Sequence, residues 1–175
     1  MMGETSVLTK RLGIDPLAGE LPASLETGHV RIDRDHRQLL ALLGELRRIC
    51  RDPGGLPDCA TCSADQQLAC EGRLIVLLGD LFSCILEHFA GEELLMRDAQ
   101  MQLAEGEHYA AHIEDHAAIA QKVQELVARL DIVHTVERIR ELDGLLARWV
   151  ANHIEMHDDL LVRWLAKRGI PGAAV

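Results

Sequence analysis

The stretch HFAGEELLM, residues 88–96, places a histidine four positions ahead of a carboxylate inside a Leu-rich segment. One helical turn takes about 3.6 residues, so positions i and i+4 differ by only about 40 degrees around the axis. His88 and Glu92 therefore share a helix face. Upstream, Leu74, Leu77, Leu78, Leu81, Cys84 and Ile85 recur at three-four spacing and extend that same face. The imidazole and the carboxylate thus point toward the core, where such groups are costly unless hydrogen-bonded, paired or bound to a metal.

Working outward, the same grammar predicts four amphipathic helices. The first runs from about Asp33, read as its N-cap, and carries His36, Leu39, Leu40, Leu43 and Leu46 on one face before DPGGLPD stops it. Ser63 with Gln66 forms a capping box for the second, which runs to about Ala99. The third, from about Glu107 to Leu130, carries His112, His116, Ile119, Val123 and Leu126. The fourth starts at Thr135, carries Leu142, Leu145, Leu146, Trp149, His153 and Leu160, and ends near Gly169. The expected fold is all-α: an antiparallel up-down-up-down four-helix bundle over residues 31–169. An irregular N-terminal arm (1–30), a Cys-containing loop between the first two helices and a short tail (170–175) complete the expected organisation.

Composition narrows the function. The chain has 175 residues, enough for one core without disulfide staples, and a formal charge of -10 that repels nucleic-acid phosphates and anionic membrane surfaces. Neither nucleic acid nor membrane is expected as a partner. The opening MMGETSVLTKRLG lacks the apolar centre of a secretory signal, and no apolar run approaches the roughly 20 residues needed to cross a bilayer, so a cytoplasmic location is expected. Five cysteines, an odd number, fit a reducing compartment.

Inward ligand-type groups occur on every predicted helix: His36, then His88 with Glu92, then His112 with His116, then His153 followed by Asp158. Five imidazoles and two carboxylates exceed what one zinc takes and are too nitrogen-rich for calcium or magnesium. Two transition-metal ions sharing bridging carboxylates fit better, with iron or manganese ahead of copper.

The pieces LETGHVRIDRDHRQLL, HFAGEELLM, YAAHIEDHAAI and WVANHIEMHD together resemble the bacterial hemerythrin-like domains, over roughly residues 25–160. That resemblance implies two non-haem irons, one held by His112, His116 and His153 and the other by His36 and His88. Glu92 and Asp158 would bridge them beside an oxo or hydroxo group. It also implies reversible binding of O2 in a dry pocket, with no side chain acting as acid or base. Phe89, Met96, Trp149 and Val150 match the pocket lining, although apolar residues at helical spacing also serve simply as core. Val150 stands where many relatives carry a larger aliphatic residue.

On an ideal helix His157 lies nearer the His153 face than Asp158 does, by about 40 against about 140 degrees, so geometry favours His157 and the family pattern favours Asp158. The family pattern is preferred, leaving His157 and His108 as surface or outer-shell groups. His29 and His134 are expected to face solvent.

The segment CRDPGGLPDCATCSADQQLAC departs from the family by lengthening the first connection. Cys50, Cys59, Cys62 and Cys70 admit three readings: a structural zinc site using all four, a disulfide switch between Cys59 and Cys62, or unrelated thiols. Cys84 is read as core. The longer links, by the same resemblance, favour an oxygen or redox sensor input over an oxygen store, with an output of the diguanylate cyclase or chemoreceptor type as partner. The alternatives are an oxygen carrier, a di-iron peroxide or nitric oxide reductase, and a zinc or thiol-redox module. No Gly-rich dinucleotide loop supplies a reductant, so binding is expected rather than turnover.

Overall fold

Leu and Ala at three-four spacing, separated by Gly- and Pro-bearing links, produce helices throughout. The computed structural model describes residues 21–49, 62–130, 135–170 and 172, and all regular structure among them is helical. After a single 3-10 turn at Ala23–Leu25 come α1 (Val30–Ile49), α2 (Ala64–Asp98), the short α3 (Met101–Ala104), α4 (Gly106–Val127) and α5 (Thr135–His153). A π-helical turn over Ile154–Asp158 then leads into α6 (Asp159–Lys167). Helix α1 packs on α2, α2 on α4, α4 on α5, and α5 back on α1. The four long helices therefore close a ring around one interior.

The capping box is present: Gln66 N donates to Ser63 Oγ at 3.3 Å and Ser63 N to Gln66 Oε1 at 2.8 Å. Asp33, expected as the N-cap of the first helix, lies instead inside its first turn. Its carboxylate reaches back to accept from Thr27 N and Thr27 Oγ1, both at 2.8 Å, and from Gly28 N at 3.0 Å. It ties down the incoming chain rather than opening the helix. Gly28 has φ 82°, a conformation that side-chain-bearing residues resist, and this turn delivers the chain to Val30.

Two apolar clusters fill the interior. The larger includes Leu39, Leu43, Leu81, Ile85, Phe89, Leu146 and Trp149; the smaller includes Ile32, Met96, Met101, Leu161, Val162 and Leu165. Burying each such side chain contributes about 1.5–3 kcal/mol. His36 lies between Ile32 and Leu39 on α1, Glu92 between Phe89 and Met96 on α2, and Asp158 between Ile154 and Leu161. The polar residues thus form a layer with an apolar cluster on either side. Beyond the larger cluster's polar margin, Arg47 Nε donates to Asp143 Oδ1 at 2.6 Å and pins α1 to α5.

Two further expectations change. Helix α2 contains an 18-residue window of mean hydropathy 1.7, so by length and composition it does match a bilayer span. Half of that window is buried inside the protein, and Leu74, Leu77, Leu78, Leu81 and Ile85 belong to the interior, so its apolarity serves packing between helices. His29, expected in solvent, is buried, its Nδ1 accepting from Ile32 N at 3.4 Å. Gly172 comes so close that a Cβ there would stand 2.9 Å from His29 Nε2. His134, Cys50 and Cys59 lie outside the described residues.

Candidate metal centre

Seven of the residues singled out in sequence meet in the polar layer: His36 from α1, His88 and Glu92 from α2, His112 and His116 from α4, His153 from α5, and Asp158 from the π turn. Each is at most 3% exposed. They form two groups whose ligand atoms lie within 4.8 Å of one another, Glu92 with His112, His116 and His153, and His36 with His88, Glu92 and Asp158. Glu92 belongs to both. Its Oε2 stands 3.3 Å from His112 Nε2, 3.3 Å from His116 Nε2, 3.6 Å from His153 Nε2 and 3.5 Å from His88 Nε2.

Asp158 divides its two oxygens between the groups. Oδ1 is 3.0 Å from His153 Nε2 and 3.4 Å from His112 Nε2, while Oδ2 is 3.0 Å from His36 Nε2. The π turn explains how Asp158 gets there. Its repeat is i to i+5, so residues five apart stack on one face, and Asp158 comes to lie over His153. The ideal-helix argument for His157 fails for that reason. His157 is half-buried and stacks on the His112 ring, with centroids 5.0 Å apart. His108 is exposed, 3.6 Å from Glu105.

The donor set fits metal ions. The Nε2 atoms of His112 and His116 each lie 3.3 Å from His153 Nε2, a convergence of nitrogens that needs a proton or cation between them. Both ring nitrogens of His36 and of His88, and all four oxygens of Glu92 and Asp158, are buried without a hydrogen-bond partner. Their mutual approaches are close enough for ion pairing but lack hydrogen-bond angles, as befits donors aimed at common centres rather than at one another. Leaving so many buried polar atoms unsatisfied costs about 1–3 kcal/mol each. A metal ion bound among them removes that cost.

In the metal-free chain the charges compensate one another. Burial opposes ionisation of Glu92, but His88 and the rings of His112, His116 and His153 outweigh it and hold its carboxyl well below the usual range. Asp158 is likewise depressed: burial and the Glu92 charge oppose this, and His153 and His112 prevail. Burial disfavours charge on His153 too, yet Asp158 and Asp115 push it up to about 11. Burial lowers His88, against the pull of Glu92.

Two residues that sequence reasoning missed complete the surroundings. Asp115 Oδ2 accepts from His153 Nδ1 at 2.6 Å and from Trp149 Nε1 at 2.7 Å, and Glu93 Oε1 stands 3.1 Å from His116 Nδ1. Their only sequence signal is position, Asp115 directly before His116 and Glu93 directly after Glu92.

The residues expected to line a pocket divide. Phe89 stacks on His116 at 3.9 Å and meets Trp149 edge-on at 5.4 Å; Trp149 stacks on His153 at 4.7 Å. Val150 joins them in the larger cluster, whereas Met96 lies on the other side of the polar layer. Away from the centre, Cys62 and Cys70 are half-buried along an apolar groove of about 860 Å³ between α2 and α4, and burial raises the Cys84 thiol to about 11.

The comparisons with known proteins agree with this architecture. The Hemerythrin HHE cation binding domain profile matches residues 27–165. Bacteriohemerythrins of Pseudomonas aeruginosa strains LESB58 and UCBPP-PA14 are 30% identical over 135 residues, covering 77% of this chain and 72% of theirs. That of Pseudomonas paraeruginosa is equally similar. No solved structure matches the chain significantly. With a buried polyhistidine centre built on four helices and a domain profile spanning nearly the whole described chain, the protein belongs to the hemerythrin family.

Proposed function

We propose that the protein binds O2 reversibly at a non-haem di-iron centre and serves as an oxygen or redox sensor input in the cytoplasm. His112, His116 and His153 would hold one iron and His36 and His88 the other, with Glu92 and Asp158 bridging. The observation that carries this reading is the sharing of carboxylates. Glu92 is common to both groups, and Asp158 turns one oxygen to each. Two ferrous ions held there would supply the electrons for O2 capture. The chain's own part is to fix the ligands, supply more nitrogen donors to one position than to the other, and keep water out.

Exclusion of water falls to the two apolar clusters, through Phe89, Trp149 and Val150 on one side and Met96 on the other. The ring of α1, α2, α4 and α5 supports an antiparallel up-down-up-down bundle within residues 31–169; most of the arm expected over 1–30 and of the tail over 170–175 lies outside the described residues. In this reading the helix ends report the state of the centre to a signalling output of the diguanylate cyclase or chemoreceptor type.

The test is metal analysis of anaerobically reduced protein, with absorption spectra before O2, after O2 and after its removal. Two irons per chain and a visible band that appears with O2 and vanishes on deoxygenation are expected. Irreversible oxidation on first exposure would replace oxygen binding by redox sensing, and absence of iron would overturn the proposal.

A further inference from the structure

The two groups of ligands are not built alike. His153 and His116 each present Nδ1 to a carboxylate, Asp115 at 2.6 Å and Glu93 at 3.1 Å. His36 and His88 have no hydrogen-bond partner for Nδ1 among the described residues. A carboxylate can only accept, so His153 keeps a proton on Nδ1, and Nε2 is the nitrogen left to give up its proton and turn a lone pair toward the metal position beside Glu92, His112 and His116. The Trp149 indole donates to the same Asp115 oxygen and stacks on the His153 ring, with centroids 4.7 Å apart and planes 29° apart. One contact orients the ring by its edge and the other by its face.

We infer that Asp115, anchored by Trp149, is a positioning residue that makes the three-histidine group the first of the two to take up metal, an inference that rests on the di-metal reading above. An imidazole whose outer N–H is held by a carboxylate is a stronger donor and is already oriented, and such partners are worth 10–100-fold in metal affinity. The histidines of the other group have no such support, so their metal binds second and leaves first. Asp115 does this from the margin of the site. Its side chain is 33% exposed, and together with Trp149, His153 and His157 it borders a groove of about 510 Å³, so its replacement does not open a core cavity.

Anaerobic titration with ferrous iron against a ferrous chelator tests the inference, using the full chain, Asp115→Ala, Asp115→Asn and Trp149→Phe. Far-UV dichroism of each metal-free form checks folding. Uptake by the unmodified chain is expected in two steps. His88→Ala should abolish the weaker step and so identify it. Asp115→Ala should weaken the tighter step by about 10–100-fold while leaving the other in place. Asp115→Asn keeps the shape and one acceptor, should shift the same step less, and decides the matter if the alanine variant fails to fold. Trp149→Phe keeps the stacked ring, loses the N–H, and should move the same step in the same direction. Unchanged uptake in folded Asp115 variants, or a single cooperative step in the unmodified chain, would overturn the inference while the di-metal reading stands. No uptake by the unmodified chain would overturn both.

Discussion

Asp158 Oδ1 lies 3.0 Å from His153 Nε2 although the two are five positions apart, because the chain between them winds as a π turn. The extra residue is absorbed in that one turn, so Leu161 and Leu165 beyond it still face the core. Deleting Met156, which is 61% exposed, should convert the turn to α-helix with the aspartate four residues after His153 and still on its face. Iron content should stay near that of the unmodified chain. Deleting exposed Glu114, between His112 and His116, should swing one ring about 100 degrees away and cost the iron. Metal analysis of the two purified variants distinguishes them.

Glu92→Ala removes one of the two carboxylates that reach both groups. Iron should fall below two per chain and the O2-dependent absorption should disappear. Unchanged stoichiometry and spectrum would defeat the bridging assignment.

His88→Leu should separate stability from function. In the metal-free chain both His88 nitrogens are buried without hydrogen-bond partners. Replacing the ring by an apolar side chain of similar size should raise unfolding free energy by about 1–3 kcal/mol, read by urea denaturation with a chelator present. The same variant should bind less iron. Such an opposition marks a residue kept for its ligand rather than for the fold.

Metal uptake should depend on pH in a fixed direction. His153 is pushed up to about 11, so in the metal-free chain at neutral pH it carries a proton that metal must displace, and, against burial, Asp158 and Glu92 shift His112 in the same direction. Apparent iron affinity should therefore strengthen as pH rises from about 6 to about 8, with proton release measurable by calorimetry in buffers of different ionisation enthalpy. For the metal-free fold, the raised histidines stabilise fully below their unfolded pKa of about 6.5, and the contribution of His153 is lost only as pH approaches its folded value of about 11. Glu92 and Asp158 are depressed, so their contribution is present above about pH 4 and is lost as pH falls further. Urea midpoints across that range test both signs.

The helices were legible because Leu and Ala at three-four spacing leave few other ways to bury an apolar stripe. Six of the seven candidate ligands were legible for the opposite reason: residues such as His36 and Glu92 sit where apolar residues belong, and burial makes such placements expensive, whereas Asp158 was legible only through the family resemblance. What escaped was whatever ordinary periodicity cannot encode. A π turn violates the period used to place His157 and Asp158. Asp33 obeys capping statistics, yet it bonds backward to Thr27 and Gly28 from inside the helix. His29 sits in no repeat and is covered by Gly172, more than a hundred positions along the chain. Asp115 and Glu93 are partly exposed acids, indistinguishable in sequence from surface charge until their partners on other residues are known.

The apolar layers on either side of the centre also act as a permeability filter that sorts by solvation. A small nonpolar gas sheds almost no hydration on crossing Phe89 and Trp149 or the Met96 side, so it passes at little cost. An ion or a hydrated oxyanion must leave its water behind, at several kcal/mol for each passage. In the oxygen-binding reading, admission and retention both follow from one property of the lining, and selectivity among solutes is set by their polarity before any of them meets a ligand.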